Sequence, residues 1–204
     1  MRLAIFGGTF DPIHDAHLRV AREAAREFGL ARVLFVPAAL PPHKSGATRA
    51  GYQDRYRMVE LACQGEPLFE PSRLEAGSGR SYSIHTIEKV KAGLEPGDEL
   101  CFLIGADAFA EIRSWYRWQS VLSQVAFIVV ARPGHHYEVP AGARVHRMET
   151  LALPVSSSQI RARLAAGESP AEVPRAVLEY IHRKGLYRGT GVGAGRGKVH
   201  LDPP

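Results

Sequence analysis

Cysteine is scarce: Cys63 and Cys101 are the only two in 204 residues, far apart and in no CxxC or metal-ligand spacing. A disulfide framework and a zinc ribbon are therefore excluded, and both thiols read as small buried hydrophobes. Tryptophan and methionine are nearly as rare, at two and three, and aromatics make up 8% of the chain. No stretch approaches the roughly 20 apolar residues that cross a bilayer. The N-terminus, MRLAIFGGTFDP, has a short apolar run that ends at a glycine pair. It lacks the apolar stretch of about 7–15 residues of a secretory signal, so a cytoplasmic location is expected, with no membrane partner. Charge of one sign is also in short supply. Twenty-six Lys and Arg against 21 Asp and Glu leave a net charge of +5. Part of that excess sits in the tail, where Arg188, Arg196 and Lys198 face Asp202. Such a balance suits a small anionic substrate. It provides no aromatic-interleaved basic patch, so nucleic acid is not expected as a partner.

What is present is ordinary globular composition, 45% hydrophobic and 23% charged. At roughly 150 residues per domain the length implies one domain. Leu3–Phe6 reads as a buried strand ending at Gly7-Gly8. Asp15 is placed to cap a helix with Leu18, Ala21, Ala25 and Phe28 on its apolar face, stopped by Gly29. Val33–Val36, Leu100–Ile104 and Val125–Val130 are further apolar strands, and Arg144–Met148 is a fifth candidate. Asp54–Cys63, Ser83–Ala92, Ser156–Ala166 and Val173–Lys184 read as helices. Ala106–Leu122 reads as a helix broken near Ser114, and Leu68–Leu74 as a strand pair or an irregular crossover. Alternating helices and fully apolar strands predict an α/β fold with a Rossmann-like, doubly wound parallel sheet. The domain is expected to span 1–187. Residues 188–204, with glycine at 189, 191, 193, 195 and 197, are expected to form a disordered tail.

Two segments carry the chemistry. In the first, a strand ends, the backbone turns through Gly7-Gly8-Thr9-Phe10, and His14 and His17 arrive at a helix start. Ligands of open α/β sheets bind outside the carboxyl ends of strands, and a helix N-terminus offers free donors to a phosphate. A zinc site is the rival use of the two histidines, but it needs a third ligand and HExxH is absent. In the second, Ser156-Ser157-Ser158 precede a helical run carrying Arg161 in its first turn. One serine caps a helix, whereas a cation at that end is disfavoured unless an anion binds there. Lys44 stands in the loop Pro41-Pro42-His43-Lys44. Gly105-Ala106-Asp107 follows a strand, where an acid can accept from ribose hydroxyls. Trp115-Tyr116 reads as core or as a ring platform. No P-loop is present, since Gly197-Lys198 is followed by valine.

GGTFDPIHDAHL, PPHK, SYSIHTI, IGAD, WY, ARPG and SSSQIR stand in the order found in bacterial nicotinate-nucleotide adenylyltransferases, which Met1–Tyr187 closely resembles. The first and last motifs alone resemble the wider HxGH nucleotidyltransferases. Two departures stand out: Ala16 where the family commonly has glycine, and Pro37-Ala38-Ala39 where it often has proline and two asparagines. The resemblance implies a nucleotidyltransferase-type fold and transfer of AMP from ATP to nicotinate mononucleotide, forming deamido-NAD and pyrophosphate. It implies catalytic roles for His14, His17, Lys44 and Arg161. ATP would be held by Gly7, Gly8, Thr9, Phe10, His17, Gly105, Asp107, Ser156, Ser157, Ser158 and Arg161. Nicotinate mononucleotide would be held by Lys44, Ser83, Thr86, Trp115, Tyr116 and Arg132. Mg²⁺ would arrive bound to ATP, with no metal ligand among the site residues. Adenylyl transfer to phosphopantetheine is the rival of the same chemistry, though those chains are usually shorter and lack the WY segment. The sequence leaves room for a homo-oligomer, because interface residues resemble core.

Overall fold

A computed structural model describes residues 1–39, 48–77, 80–132, 134–150 and 155–188. Lys44 and the tail 189–204 lie outside the described residues. The strands are β1 (Arg2–Gly8), β2 (Arg32–Pro37), β3 (Phe69–Pro71), β4 (Glu99–Gly105), β5 (Ala126–Ala131) and β6 (Arg144–Glu149). All pair in parallel, in the order β3-β2-β1-β4-β5-β6. In the register Ile5 lies opposite Leu34 on one side and Phe102 on the other. Strand order reverses between β1 and β4, which is the point where doubly wound sheets leave a crevice for ligand.

The apolar strands are explained by burial on both faces. Ala4, Val33, Phe35, Cys101, Leu103, Ala126 and Ile128 point into one core. Helices α1 (Asp15–Phe28), α2 (Tyr52–Cys63), α6 (Ser157–Ala165) and α7 (Arg175–Lys184) cover it. Leu3, Ile5, Leu34, Val36, Phe102, Ile104, Phe127 and Val129 point into the other. There the cover is α3 (Ser83–Lys91), α4 (Ala106–Ala110) and α5 (Trp118–Gln124). Cys63 and Cys101 are both buried and free, and burial pushes their thiols up to about 12 and about 11. Among the described residues no helix is long and apolar enough to cross a membrane.

Four sequence expectations change in detail. His14, not Asp15, occupies the N-cap of α1, while Gly29 ends that helix in the left-handed region at φ 62° as expected. Leu68–Leu74 contributes a single short strand, β3, at the sheet edge. The interruption after α4 is wider than a kink at Ser114. A 3₁₀ turn at Ile112–Ser114 and Arg117, at φ 53°, separate α4 from α5, and this puts Trp115 and Tyr116 on a loop. The last helix begins at Arg175, because Pro174 takes the N-cap position.

Candidate active site

The turn after β1 is held by residues from distant parts of the chain. A Cβ on Gly8 would lie 2.8 Å from the Phe10 ring, so glycine there is a packing requirement. A Cβ on Gly7 would meet only Phe102, at an ordinary 3.6 Å. Phe10 is buried with φ 49°, edge-on to Phe6 and to the His17 ring. Asp11 is also buried, and its carboxylate accepts the Arg49 and Ala50 N–H groups and the Tyr187 hydroxyl. Arg55, fully buried on α2, donates to the carbonyls of Thr9, Ala38, Ala39 and Ala50.

His14 and His17 stack, with ring centroids 3.7 Å apart. The His14 backbone N–H donates to His17 Nδ1 at 3.2 Å. A neutral His17 therefore carries its ring proton on Nε2 and can donate from there. Ala16 sits inside α1 with ordinary helical backbone, so the methyl in place of the family's usual glycine brings no strain. The second departure is absorbed by the backbone: the Ala38 and Ala39 carbonyls face Arg55, and the Ala39 N–H donates to Ser81 Oγ.

His14 is only 4% exposed, and its Nδ1 is buried with no hydrogen-bond partner among the described residues. Burial pushes its pKa down from 6.5 to about 4, against a smaller upward pull from Glu172. At neutral pH His14 is thus an uncharged ring rather than a source of counter-charge. The unfolded chain takes up this proton below pH 6.5 and the folded one only near 4, so acid favours unfolding. Between neutrality and about pH 4.5 this residue should remove about 2–3 kcal/mol of stability. His14→Gln should lack that component, and denaturant titrations of both proteins at the two pH values measure it.

The start of α6 docks onto the same turn. Ser156 caps the helix, exchanging bonds with Gln159. Ser157 Oγ donates to the Pro12 carbonyl at 3.0 Å, and Arg161 donates to the Asp11 carbonyl at 2.8 Å. Ser158 Oγ lies 2.9 Å from Ser156 Oγ on the exposed side. Of the three expected anion-binding hydroxyls, one caps the helix and one fastens it to the turn. The starts of α1 and α6 are thereby brought to the same turn, each with the partial positive charge of a helix N-terminus, while the His14, Asp15 and His17 N–H groups of α1 and the Ser156 and Gln159 N–H groups of α6 are already bonded within the protein.

Two concavities open at the carboxyl edge of the sheet. The larger, about 420 Å³, lies at the strand-order reversal between Gly7–Thr9, Ala38, Tyr82, Ser83, Thr86, Trp115 and Tyr116. Trp115 is half-buried with its ring edge-on to Phe102, whereas Tyr116 is exposed and leans on Tyr82. Thr86 is buried, and its hydroxyl donates to Glu75 Oε1 at 2.6 Å. Glu75 and Glu111 both line this cavity, and sequence reasoning missed them. The smaller, about 330 Å³, lies beyond β4 and β5 and is lined by Gly105, Asp107, Arg132, His135 and Thr150. Asp107 is almost fully exposed in the first turn of α4, with His135 Nε2 3.7 Å away. Arg132, expected beside Thr86 and Trp115, is grouped with Asp107 instead. The reason is topological: Arg132 leaves β5, whose neighbour is β4, one strand beyond the reversal.

A sheet with this strand order, carrying paired helix starts and a histidine pair at the reversal, is the framework of a nucleotidyltransferase. A family model described as cytidylyltransferase-like matches residues 5–163. A protein of Solibacter usitatus named probable nicotinate-nucleotide adenylyltransferase is 62% identical over 187 residues, covering 92% of this chain and all of that one. One of the same name from Desulfitobacterium hafniense is 41% identical over 199 residues, covering 92% and 96%. The fold matches Plasmodium falciparum nicotinic acid mononucleotide adenylyltransferase complexed with NaAD at a TM-score of 0.75 and 20% identity, over 91% of this chain and 97% of that one. The chain belongs to the nicotinate-nucleotide adenylyltransferases, a family of enzymes that act on nucleotides.

Proposed function

We propose that the protein transfers AMP from ATP to nicotinate mononucleotide, with the mononucleotide in the larger cavity and the adenosine of ATP beside Asp107. The observation that carries this reading is the placement of two separate concavities on either side of β4, with the β1 turn and the α6 start at the same edge. Each substrate then has its own wall, and the phosphates meet at the two helix starts.

The acceptor's phosphate oxygen bonds to the α-phosphorus of ATP while the bond to the bridging oxygen on the β-phosphorus breaks, and pyrophosphate leaves. No protein nucleophile is needed. The work left to the protein is alignment of two anions and stabilisation of the charge between them. His17 Nε2 and the Arg161 guanidinium supply donors, the two helix starts add partial positive charge, and Lys44 is assigned to the acceptor phosphate. Among the described residues no three His, Cys, Asp or Glu side chains converge as a metal cage. A Mg²⁺ would enter bound to the triphosphate of ATP. When bound, that cation spreads the charge of the leaving pyrophosphate.

In the larger cavity, the first turn of α3 presents backbone N–H groups beside Ser83, which suits the nicotinate carboxylate. Trp115 and Tyr116 supply ring surface. Trp115→Ala should raise KM for the mononucleotide roughly tenfold, the scale of one lost ring stack, and leave KM for ATP nearly unchanged. Nicotinate and nicotinamide mononucleotides should suffer alike, because stacking does not read the carboxylate. Melting should also fall, since Trp115 leans on the core through Phe102. The function itself is tested by pyrophosphate release from ATP with nicotinate mononucleotide, nicotinamide mononucleotide and phosphopantetheine offered separately. Release is expected with the first and not with the last. Its absence with nicotinate mononucleotide would overturn the reading.

A further inference from the structure

We propose that Arg55, a side chain with no exposure to substrate, is a positioning residue of the reaction, holding the peptide units that wall the acceptor cavity. The proposal rests on the adenylyl-transfer reading above and adds a residue to it.

Burying a guanidinium is costly, and an apolar residue at position 55 would continue the stripe formed by Met58, Val59 and Ala62. Arg55 instead spends its donors on four backbone carbonyls. Nη1 binds the Thr9 oxygen at 2.7 Å, Nη2 binds those of Ala38 at 2.7 Å and Ala39 at 3.3 Å, and Nε binds that of Ala50 at 3.2 Å. Thr9 and Ala38 both line the larger cavity, one at the end of β1 and the other just past β2. One planar group therefore sets the separation of two walls.

Peptide planarity carries the effect to the cavity side. In a trans peptide the carbonyl and the following N–H point in opposite directions. The Ala38–Ala39 unit displays this directly: its carbonyl faces Arg55, and its N–H donates to Ser81 Oγ at 2.8 Å on the cavity side. By the same geometry, drawing the Thr9 carbonyl to Arg55 turns the Phe10 N–H away from it, at the turn to which phosphate binding is assigned. Phe10 holds φ 49°, a conformation rarely adopted outside glycine, so the turn needs such external fixing.

Charge is not the agent. Asp11 lies close enough to interact electrostatically with Arg55, and its carboxylate offsets the cation. Asp11 is itself held by the Tyr187 hydroxyl at 2.6 Å. The arrangement therefore acts through the fork of the guanidinium, which a lysine of equal charge cannot reproduce.

Arg55→Lys separates geometry from charge. Single turnovers with enzyme in excess give a rate constant that unfolded molecules do not dilute. It should fall roughly 10²-fold, the scale of misplacing reacting groups, while the ATP dissociation constant moves by about threefold or less. A folded Arg55→Lys protein within about threefold of the wild-type rate would overturn the proposal. So would a loss confined to ATP affinity. If Arg55→Lys does not fold, Tyr187→Phe decides, because it removes one hydroxyl from the same network. A rate loss of about tenfold in the folded protein supports the positioning role, and a wild-type rate overturns it. Wild-type protein that releases no pyrophosphate would instead overturn the adenylyl-transfer reading, which keeps the two failures apart.

Discussion

His17→Ala is expected to lower kcat by about 10²–10³-fold, the usual cost of removing one preorganised donor from a developing charge. The argument lies in the ring's hydrogen bonding. Nδ1 is committed to the His14 N–H, so the proton resides on Nε2, and stacking on His14 and edge contact with Phe10 fix the direction of that donor. A rigid donor in place before the reaction requires no reorganisation as the transition state forms. Because His14 is held uncharged, the pair does not suffer the repulsion of two adjacent cations. The variant should melt a few degrees lower, since a half-buried ring is lost, yet remain folded. Steady-state kinetics beside a melting curve check this, and turnover within about threefold of wild type in a folded variant would refute it.

Arg161→Met should lower kcat/KM for ATP by a similar 10²–10³-fold. Methionine keeps most of the aliphatic stem and removes the charge. Two functions are lost at once. The cation leaves the α6 start, where it stands to meet a bound anion. The bond from Arg161 to the Asp11 carbonyl also goes, leaving Ser157 to fasten α6 to the turn. Arg161→Lys should fall between, since it restores charge without the planar fork. If the methionine variant retained wild-type kcat/KM for ATP, Arg161 would be only a strut between α6 and the turn.

The strands were legible because a parallel sheet buried on both faces imposes long apolar runs with no competing pattern. The β1 turn and the α6 start were legible because glycine, histidine and serine stood where helix ends leave donors unpaired. What sequence missed depends on partners distant along the chain. Asp11 carries no local pattern that would mark it as the partner of Ala50 and Tyr187. Arg55 belongs to no motif, although its spacing of three, four and seven from Met58, Val59 and Ala62 places it on the apolar stripe. That register is the signal that would have revealed it. Arg132 lines the smaller cavity, a placement that motif order along the chain does not reveal, because it does not say which side of the strand-order reversal a loop serves. Glu75 carried no local pattern, and only its contact with Thr86 brings it into the cavity.

The contact between Tyr187 and Asp11 joins the last turn of the described chain to the eleventh residue. Ser157 and Arg161 reach the same turn from late in the sequence. During synthesis, β1 can pair with β2 early and Arg49, Ala50 and Arg55 can then hold the turn that follows it, but the contacts of that turn with Ser157, Arg161 and Tyr187 wait for the final helices. A chain that stops before α6 consequently lacks Ser157 and Arg161, part of the proposed phosphate site. Full assembly of this turn is thereby coupled to synthesis of the C-terminal helices.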